Sequence, residues 1–184
     1  MAMAATIALP ATQEVEASDN SDEIVVVEDG MTLTFEGQGL LYDMYLNGDM
    51  EQYIEEMQES YSMSATTRAP APQVSSARVS EVYSTQGGRE VIPVNQYATN
   101  RDHGGEKMQV VTRVIGYGRE SAKYAGTQVY STESMHIDLN NDRIVDGWMN
   151  VWDVSGISES GQFYDTVRST NFPYTVKGAW VNIK

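Results

Sequence analysis

The sequence predicts a mainly β protein, with an antiparallel β-sandwich or barrel in its C-terminal part. Several short runs after residue 70 alternate apolar and polar side chains, and clusters of Gly and Ser separate these runs. Hydrophobic residues make up 41% of the 184-residue chain and charged residues 21%, which is enough apolar material for a core. We expect an acidic N-terminal segment with a short hairpin and one amphipathic helix to precede the β-rich part.

Charge divides the chain into two parts. Residues 1–67 hold fourteen of the 26 acidic residues and no Lys or Arg, whereas the rest of the chain holds twelve acids and all twelve bases. The whole net charge of −14 therefore lies in the first third. Nucleic acids and anionic membrane surfaces bind concentrated basic residues, so this distribution argues against both as partners. No apolar run approaches the ~20 residues that a membrane-spanning helix needs.

Residues 1–17 resemble the second half of a secretory signal peptide. A short apolar run from Ala2 to Ala11 is followed by Val15 and Ala17, the aliphatic and small residues that a cleavage site requires. The chain has no cysteine, which excludes disulfides and thiolate metal sites. We expect a secreted bacterial protein that acts outside the cell; the alternative is that these residues form a disordered Ala-rich tail.

Residues 18–67 form the acidic segment. The run from Ile24 to Val27, the turn signal Asp29-Gly30 and a second β-rich run predict a hairpin, because Asp-Gly supplies the positive φ of tight hairpin turns. Apolar residues then recur at helical spacing and predict a helix from about residue 49 to 62. They are Met50, Tyr53, Ile54, Met57 and Tyr61. We interpret this stripe as a packing face rather than as a ligand groove.

Residues 68–76 carry Pro70 and Pro72 among small residues and predict a linker. Because the charge changes in the same place, we predict a β-sandwich domain from residue 77 to 184. Residues 18–67 would then be an arm or a removable pro-segment. The strand-like runs of the predicted domain cover residues 107–117, 127–139, 144–154, 162–170 and 173–183.

One stretch of the predicted domain resembles a calcium loop. Oxygen-bearing side chains fall on positions 1, 3, 5 and 9 of an EF-hand-type pattern. These weak candidate ligands are Asp138, Asn140, Asp142 and Asp146. Arg143 stands where the pattern has its glycine, and Met149 stands where it has its bidentate acid.

The alternative for the same stretch is a β-hairpin. Asn tolerates the left-handed conformation, so Asn140-Asn141 can make a tight two-residue turn that sets Ile137 opposite Ile144, whereas a four-residue loop would set Leu139 opposite Ile144. Asp138 would then meet Arg143 across the turn, and the Asp side chains would lie in solvent. We predict the hairpin and no bound metal; calcium is the one cofactor that the sequence suggests.

Neither histidine belongs to a recognisable catalytic motif. His103 lies in the loop from Asp102 to Glu106, and His136 lies beside Asp138 on the polar face of a strand. A general base at His103 needs a nucleophile beside it, and no nucleophile motif accompanies it, so we interpret this loop as a polar turn. We predict that the protein is not an enzyme and that it has no catalytic residues.

Aromatic residues favour a role in binding. Eleven Tyr and three Trp stand against three Phe, and Tyr and Trp suit exposed recognition surfaces. We expect Trp148 and Trp152 in the core. The candidate binding residues are Tyr117, Tyr124, Tyr130 and Trp180. The leading hypothesis is a non-enzymatic extracellular module that binds a protein or a glycan. The alternative is an exported effector, bacteriocin-like or toxin-like, made with an acidic pro-segment.

Overall fold

The computed structural model describes residues 14–17, 23–64 and 72–184, and it describes side chains for residues 23–62 and 72–184. The predicted fold class is confirmed: the protein is mainly β, with two antiparallel sheets arranged as a sandwich and helices in the N-terminal part. The strands are β1 (Glu14–Ala17), β2 (Glu23–Glu28), β3 (Met31–Glu36), β4 (Ser76–Ser84), β5 (Gly88–Val91), β6 (Met108–Ile115), β7 (Gly118–Tyr124), β8 (Thr127–Val129), β9 (Ser131–Asp138), β10 (Gly147–Asp153), β11 (Gly161–Ser169) and β12 (Val176–Ile183).

The larger sheet has eight strands in the order β1-β2-β3-β9-β10-β6-β4-β5, and the smaller sheet has four in the order β12-β11-β7-β8. The chain changes sheet between β6 and β7, between β8 and β9, and between β10 and β11. The predicted run 127–139 therefore belongs to two sheets. Its Val129 packs between the sheets, whereas its Met135 and Ile137 pack on the other side of the larger sheet.

The predicted hairpin is formed by β2 and β3 around Asp29-Gly30. Both turn residues have positive φ, 51° at Asp29 and 79° at Gly30, as the turn chemistry requires. Beyond its own pairing, β3 pairs with β9 of the C-terminal part, with Leu33 opposite Ile137. The hairpin of the acidic segment is thus built into the same sheet as the rest of the protein.

Two helices follow the hairpin, α1 (Leu40–Leu46) and α2 (Glu51–Ser64). The sequence predicts the second helix but not the first. Met50, Tyr53 and Met57 are almost fully buried against the larger sheet, in one cluster with Met149 and Val151. The packing face is therefore confirmed for these three residues, whereas Ile54 is partly buried and Tyr61 is exposed.

Ion pairs add to this contact between the acidic segment and the sheet. The carboxylate of Glu56 lies 2.9 Å from Arg78 and 3.2 Å from Arg113, and Asp49 lies 2.8 Å from Arg89. Acids of the first third therefore face bases of the predicted β domain. Cleavage near residue 70 stays a prediction, but loss of residues 23–62 would expose the apolar side of the larger sheet to water.

The second core lies between the two sheets. β6 contributes to both cores: Val110 faces the smaller sheet, whereas Val111 faces the helices. Trp152 packs beside Phe163 of the smaller sheet, with ring centroids 6.1 Å apart. Trp148 and Trp152 are both buried, as expected. The molecule is therefore layered as helices, larger sheet and smaller sheet.

Two predicted segments lie partly outside the described residues. Of the signal-like segment 1–17, the structure describes Glu14–Ala17, which form β1 and pair with β2. Of the linker 68–76, it describes residues 72–76, including Val74, whose side chain is buried. Neither helix in the described part of the chain has the length and apolar character to cross a membrane.

Candidate functional site

An open cleft lies between the two sheets, beside two of the places where the chain changes sheet. The crossover from β6 to β7 requires glycine at Gly116, because φ is 110° and a Cβ there would lie 2.2 Å from the Gln73 carbonyl oxygen. Tyr117 follows this glycine, and Tyr130 occupies the crossover from β8 to β9. Both tyrosines line the cleft and are exposed, Tyr117 by 40% and Tyr130 by 78%.

The cleft has a volume of about 530 Å³ and mostly polar walls. On the larger sheet, Trp148 lies opposite His136 and Asn150 lies opposite Ser134, and the Ser134 hydroxyl donates to Asn150 Oδ1 at 2.6 Å. The smaller sheet contributes Glu120, from its inner face, and the residues Ser121 and Gln128 to the lining of the cleft. Several donors and acceptors thus converge on one opening, as they do in small-molecule sites.

Glu120 connects the two sheets at the cleft. Its Oε2 accepts hydrogen bonds from Trp148 Nε1, at 2.6 Å, and from Asn150 Nδ2. Glu120 belongs to β7 of the smaller sheet, whereas Trp148 and Asn150 belong to β10 of the larger sheet. The carboxyl group is therefore a strut that holds the sheets at a fixed separation where the cleft opens.

A second acid lies directly beside this strut. Glu120 pairs with Val167 and Asp165 pairs with Ala122, so Glu120 and Asp165 are diagonal neighbours on the inner face of the smaller sheet. Asp165 is completely buried. Burial, and then the charge of Asp165, raises the pKa of Glu120 to about 9. Burial also raises the pKa of Asp165 to about 6.

These two groups, the acid pair, share one proton at neutral pH. Two adjacent buried carboxylates cannot both ionise without strong repulsion. Within residues 23–62 and 72–184, no hydrogen bond of normal geometry reaches Glu120 Oε1 or either oxygen of Asp165, although the nearby backbone N–H groups of Ser121 and Thr166 partly offset the rise in the pKa of Asp165. A proton held between the two carboxyl groups satisfies one oxygen of each. These three oxygens are buried, so the pair supports the wall of the cleft from inside the sandwich.

Sequence reasoning missed the acid pair, although one signal pointed to it. Along β11, Asp165 alternates in phase with Phe163 and Val167, both of which are fully buried. An acid on the apolar face of a strand is an informative exception, because ionisable side chains are almost never fully buried without a partner. Its partner Glu120 lies 45 positions earlier in the chain and could not be identified without the strand pairing.

The predicted tight turn at Asn140-Asn141 is wrong. Ile137 pairs with Gly147 rather than with Ile144, and residues 139–146 form a longer loop between β9 and β10. The physical reason is the Asp138 carboxylate, which accepts three backbone N–H groups that a tight turn would pair with carbonyl oxygens. Their nitrogen atoms belong to Asn140, Asp142 and Arg143, at 3.3, 3.2 and 2.7 Å.

The same loop differs from both sequence interpretations. Arg143 has a φ of 70°, the left-handed conformation that an EF-hand loop gives to its glycine. Asp146 is buried rather than in solvent, and its Oδ2 accepts the backbone N–H of Leu139 at 2.9 Å. Within the described residues, no three His, Asp or Glu side chains come together in a way that could hold a metal ion. Absence of calcium binding stays a prediction.

His103 lies in a buried set of hydrogen bonds that the sequence did not reveal. Its Nδ1 lies 3.0 Å from the Ser84 hydroxyl and its Nε2 lies 3.2 Å from Glu90 Oε2. Burial alone would raise the pKa of Glu90, but hydrogen bonds from the backbone N–H groups of Asn100 and Arg101 lower it overall. The ring of His103 is fully buried, and Ser84 Oγ accepts the backbone N–H of Gly87 at 2.8 Å. These hydrogen bonds therefore anchor the loop to the sheet.

The four candidate binding residues fall into three environments. Tyr117 and Tyr130 both line the cleft. Trp180 is half-buried on the outer side of the smaller sheet. The prediction of Tyr124 as a binding residue is wrong, because its side chain points inward on the same side as Ala122 and is fully buried. Its hydroxyl donates a hydrogen bond to the Ser158 carbonyl oxygen at 3.1 Å.

Residues 69–183 match the protein family described as "Domain of unknown function (DUF4879)". The matched range begins inside the predicted linker and covers both sides of the cleft. No curated protein and no solved structure matches the chain.

Proposed function

The chain belongs to the DUF4879 family, and we propose that it is a secreted, non-enzymatic binding module that holds a sugar unit of a glycan in the cleft between the sheets. The observation that carries the proposal is the pair of exposed tyrosines, Tyr117 and Tyr130, at an opening whose walls carry hydrogen-bonding side chains. The signal-like segment at residues 1–17 supports an extracellular site of action.

The chemistry of the cleft fits a neutral, hydroxyl-rich ligand. A sugar offers an apolar ring face, which stacks on aromatic rings, and hydroxyl groups, which pair with amide and hydroxyl side chains. Tyr130 supplies a ring, and Gln128 and Ser134 supply hydrogen-bonding groups at the same opening. The volume of about 530 Å³ lies in the range of small-molecule sites, roughly 300–1,000 Å³.

The acid pair supports binding rather than hydrolysis. A glycoside hydrolase needs one carboxyl group that protonates the leaving oxygen and a second that reaches the sugar or a water molecule. In the cleft, Glu120 Oε1 and both oxygens of Asp165 are buried from water, and Glu120 Oε2 is occupied by Trp148 and Asn150. The pair instead fixes the width of the opening, which pre-organises the site.

A glycan array followed by calorimetric titration of the best sugar tests the proposal. Tyr130→Ala should weaken binding by about tenfold or more, because exposed aromatic anchors dominate binding energies. Tyr174→Ala is the matched control, since Tyr174 is exposed by 56% and lies outside the lining of the cleft. An array without any bound sugar, or a sugar held equally well by Tyr130→Ala, would contradict the proposed function.

A further inference from the structure

The outer face of the smaller sheet differs in charge from the rest of the molecule. Because strand side chains alternate, one set of residues from β12, β11 and β7 points away from the core. This outer face consists of Val176, Gly178, Trp180, Asn182, Gln162, Tyr164, Thr166, Arg168, Arg119, Ser121 and Lys123. Three of these described residues are basic and none is acidic, in a chain with a net charge of −14.

One end of the outer face is an aromatic platform. Trp180 lies opposite Tyr164, and the ring of Tyr97 stacks on Trp180 with centroids 4.6 Å apart and an interplanar angle of 19°. A Cβ added to Gly178 would lie 3.1 Å from the Tyr164 hydroxyl and 3.5 Å from two ring carbons. The Tyr164 ring therefore lies over Gly178, and it is exposed by 44%, so it offers a broad side to solvent.

The other end of the outer face carries two guanidinium groups. Arg168 lies directly opposite Arg119 on the neighbouring strand. Like charges in this position repel each other, and within the described residues neither side chain forms an ion pair or a hydrogen bond. A bound anion would relieve the repulsion, and the planar fork of arginine matches a carboxylate. Lys123, which lies opposite Tyr164, places a third positive charge beside the platform.

A shallow floor connects the two ends. Gly178, Thr166 and Ser121 form one row across the three strands, and all three side chains are small. Tyr164 and Arg168 are four residues apart on one strand, a distance of about 13 Å at the usual rise per residue. A chain of sugar rings lying along β11 would thus stack on Tyr164 and reach the guanidinium groups further along.

We propose that the outer face is a second binding site, for an acidic polysaccharide whose sugars carry carboxylate groups. Ser121, at the edge of this face, is the one member of the outer face that also lines the cleft. Aromatic stacking supplies the affinity for sugar rings, and Lys123, Arg119 and Arg168 supply the preference for carboxylates. A polymer with one charge per sugar fits three separated bases better than a densely charged polyanion, which the acidic first third would repel. This site does not depend on the proposed function of the cleft.

Titration of the full chain with polygalacturonate and with alginate tests the proposal, and fully methyl-esterified polygalacturonate serves as the matched uncharged ligand. We expect binding to an acidic polymer that is at least about tenfold tighter than binding to the ester and that weakens as salt is added. Tyr164→Ala and Arg168→Glu should each reduce the affinity by about tenfold or more.

Two controls separate this site from bulk charge and from the cleft. Arg143→Glu changes the net charge as Arg168→Glu does, but it lies in the exposed 139–146 loop and should leave the affinity unchanged. Tyr130→Ala should also leave it unchanged, even if it abolishes binding in the cleft. The proposal is overturned if neither acidic polymer binds more tightly than the ester, or if Arg143→Glu weakens binding as much as Arg168→Glu. Unchanged melting temperatures verify that each variant is folded.

Discussion

Replacement of Glu120 by Gln should remove most of the dependence of stability on pH between pH 6 and 8. Glutamine has the shape of a protonated glutamic acid and is permanently neutral. Its carbonyl oxygen can accept the hydrogen bonds of Trp148 and Asn150, and its amide group can donate to Asp165. The variant therefore keeps the strut between the sheets and removes the titrating proton.

The sign and size of the effect follow from the pKa of Glu120, which burial and then the charge of Asp165 raise to about 9. In the unfolded chain a glutamic acid titrates near 4.3. Between these values the folded protein keeps a proton that the unfolded chain releases, so the free energy of unfolding falls as the pH rises. This stabilisation is complete below the unfolded pKa and is lost as the pH rises through the folded pKa. The slope is at most about 1.4 kcal/mol per pH unit, or about 3 kcal/mol from pH 6 to 8.

Urea unfolding at pH 6, 7 and 8, followed by tryptophan fluorescence, measures this difference. Asp165 adds only about half a kcal/mol in this range, because its pKa of about 6 lies at the lower end of the range and half of its titration occurs below it. Glu106→Gln, which changes an exposed acid, should retain the slope of the natural protein. Equal slopes for Glu120→Gln and the natural protein would refute the shared proton in the acid pair.

The remaining predictions concern the 139–146 loop and the acidic helix. Calcium at ten millimolar should leave the melting temperature unchanged beyond general salt effects, and Asp142→Ala should not alter this; a calcium-dependent rise lost in that variant would establish a metal site. Met57→Ala should reduce the free energy of unfolding in urea by about 2–5 kcal/mol, because Met57 is fully buried between helix and sheet. A decrease smaller than ~0.5 kcal/mol would mean that the helix does not pack on the sheet in solution. Tyr53→Phe should lower the free energy of unfolding by about 1–3 kcal/mol in the same assay, because the Tyr53 hydroxyl donates to the carbonyl oxygens of Val114 and Trp148 at 2.8 and 3.0 Å. Unchanged stability would contradict these buried hydrogen bonds.

Features that depend on neighbouring residues could be predicted from the sequence. The β2–β3 hairpin follows from Asp29-Gly30, because the positive φ of the turn is a property of those two residues. The helix after it follows from apolar side chains spaced at one helical turn, and this stripe, apart from Tyr61, is the face that packs. Neither pattern states what the element packs against. The pairing of β3 with β9 joins residues about a hundred positions apart, so the sequence suggested an arm where the structure has a continuous sheet.

The candidate site is less predictable because it is made where the chain leaves one sheet for the other. An alternating pattern shows which side chains share a face of a strand, but it does not show where the chain passes from one sheet to the other. Residues 127–139 therefore looked like one strand. That change of sheet exposes Tyr130 at the cleft. Tyr124, the last residue of β7, points inward on the same side as Ala122 and is buried. Side chains also override turn preferences: Asp138 pairs the backbone of its loop and replaces the tight turn that Asn140-Asn141 favours.

The acid pair links the stability of the protein to the shape of its cleft. The apolar cluster beside the cleft is small, with Val74, Val114, Trp148 and Val167 as its buried members, so Glu120 is a principal contact between the sheets there. When the shared proton is lost at high pH, two adjacent negative charges remain between the sheets, and separation of β7 from β10 would let more water reach them. The same movement would widen the opening between Tyr117 and Tyr130. A ligand that fits the closed cleft should therefore bind less tightly at pH 9 than at pH 6, and Glu120→Gln should keep its affinity at both.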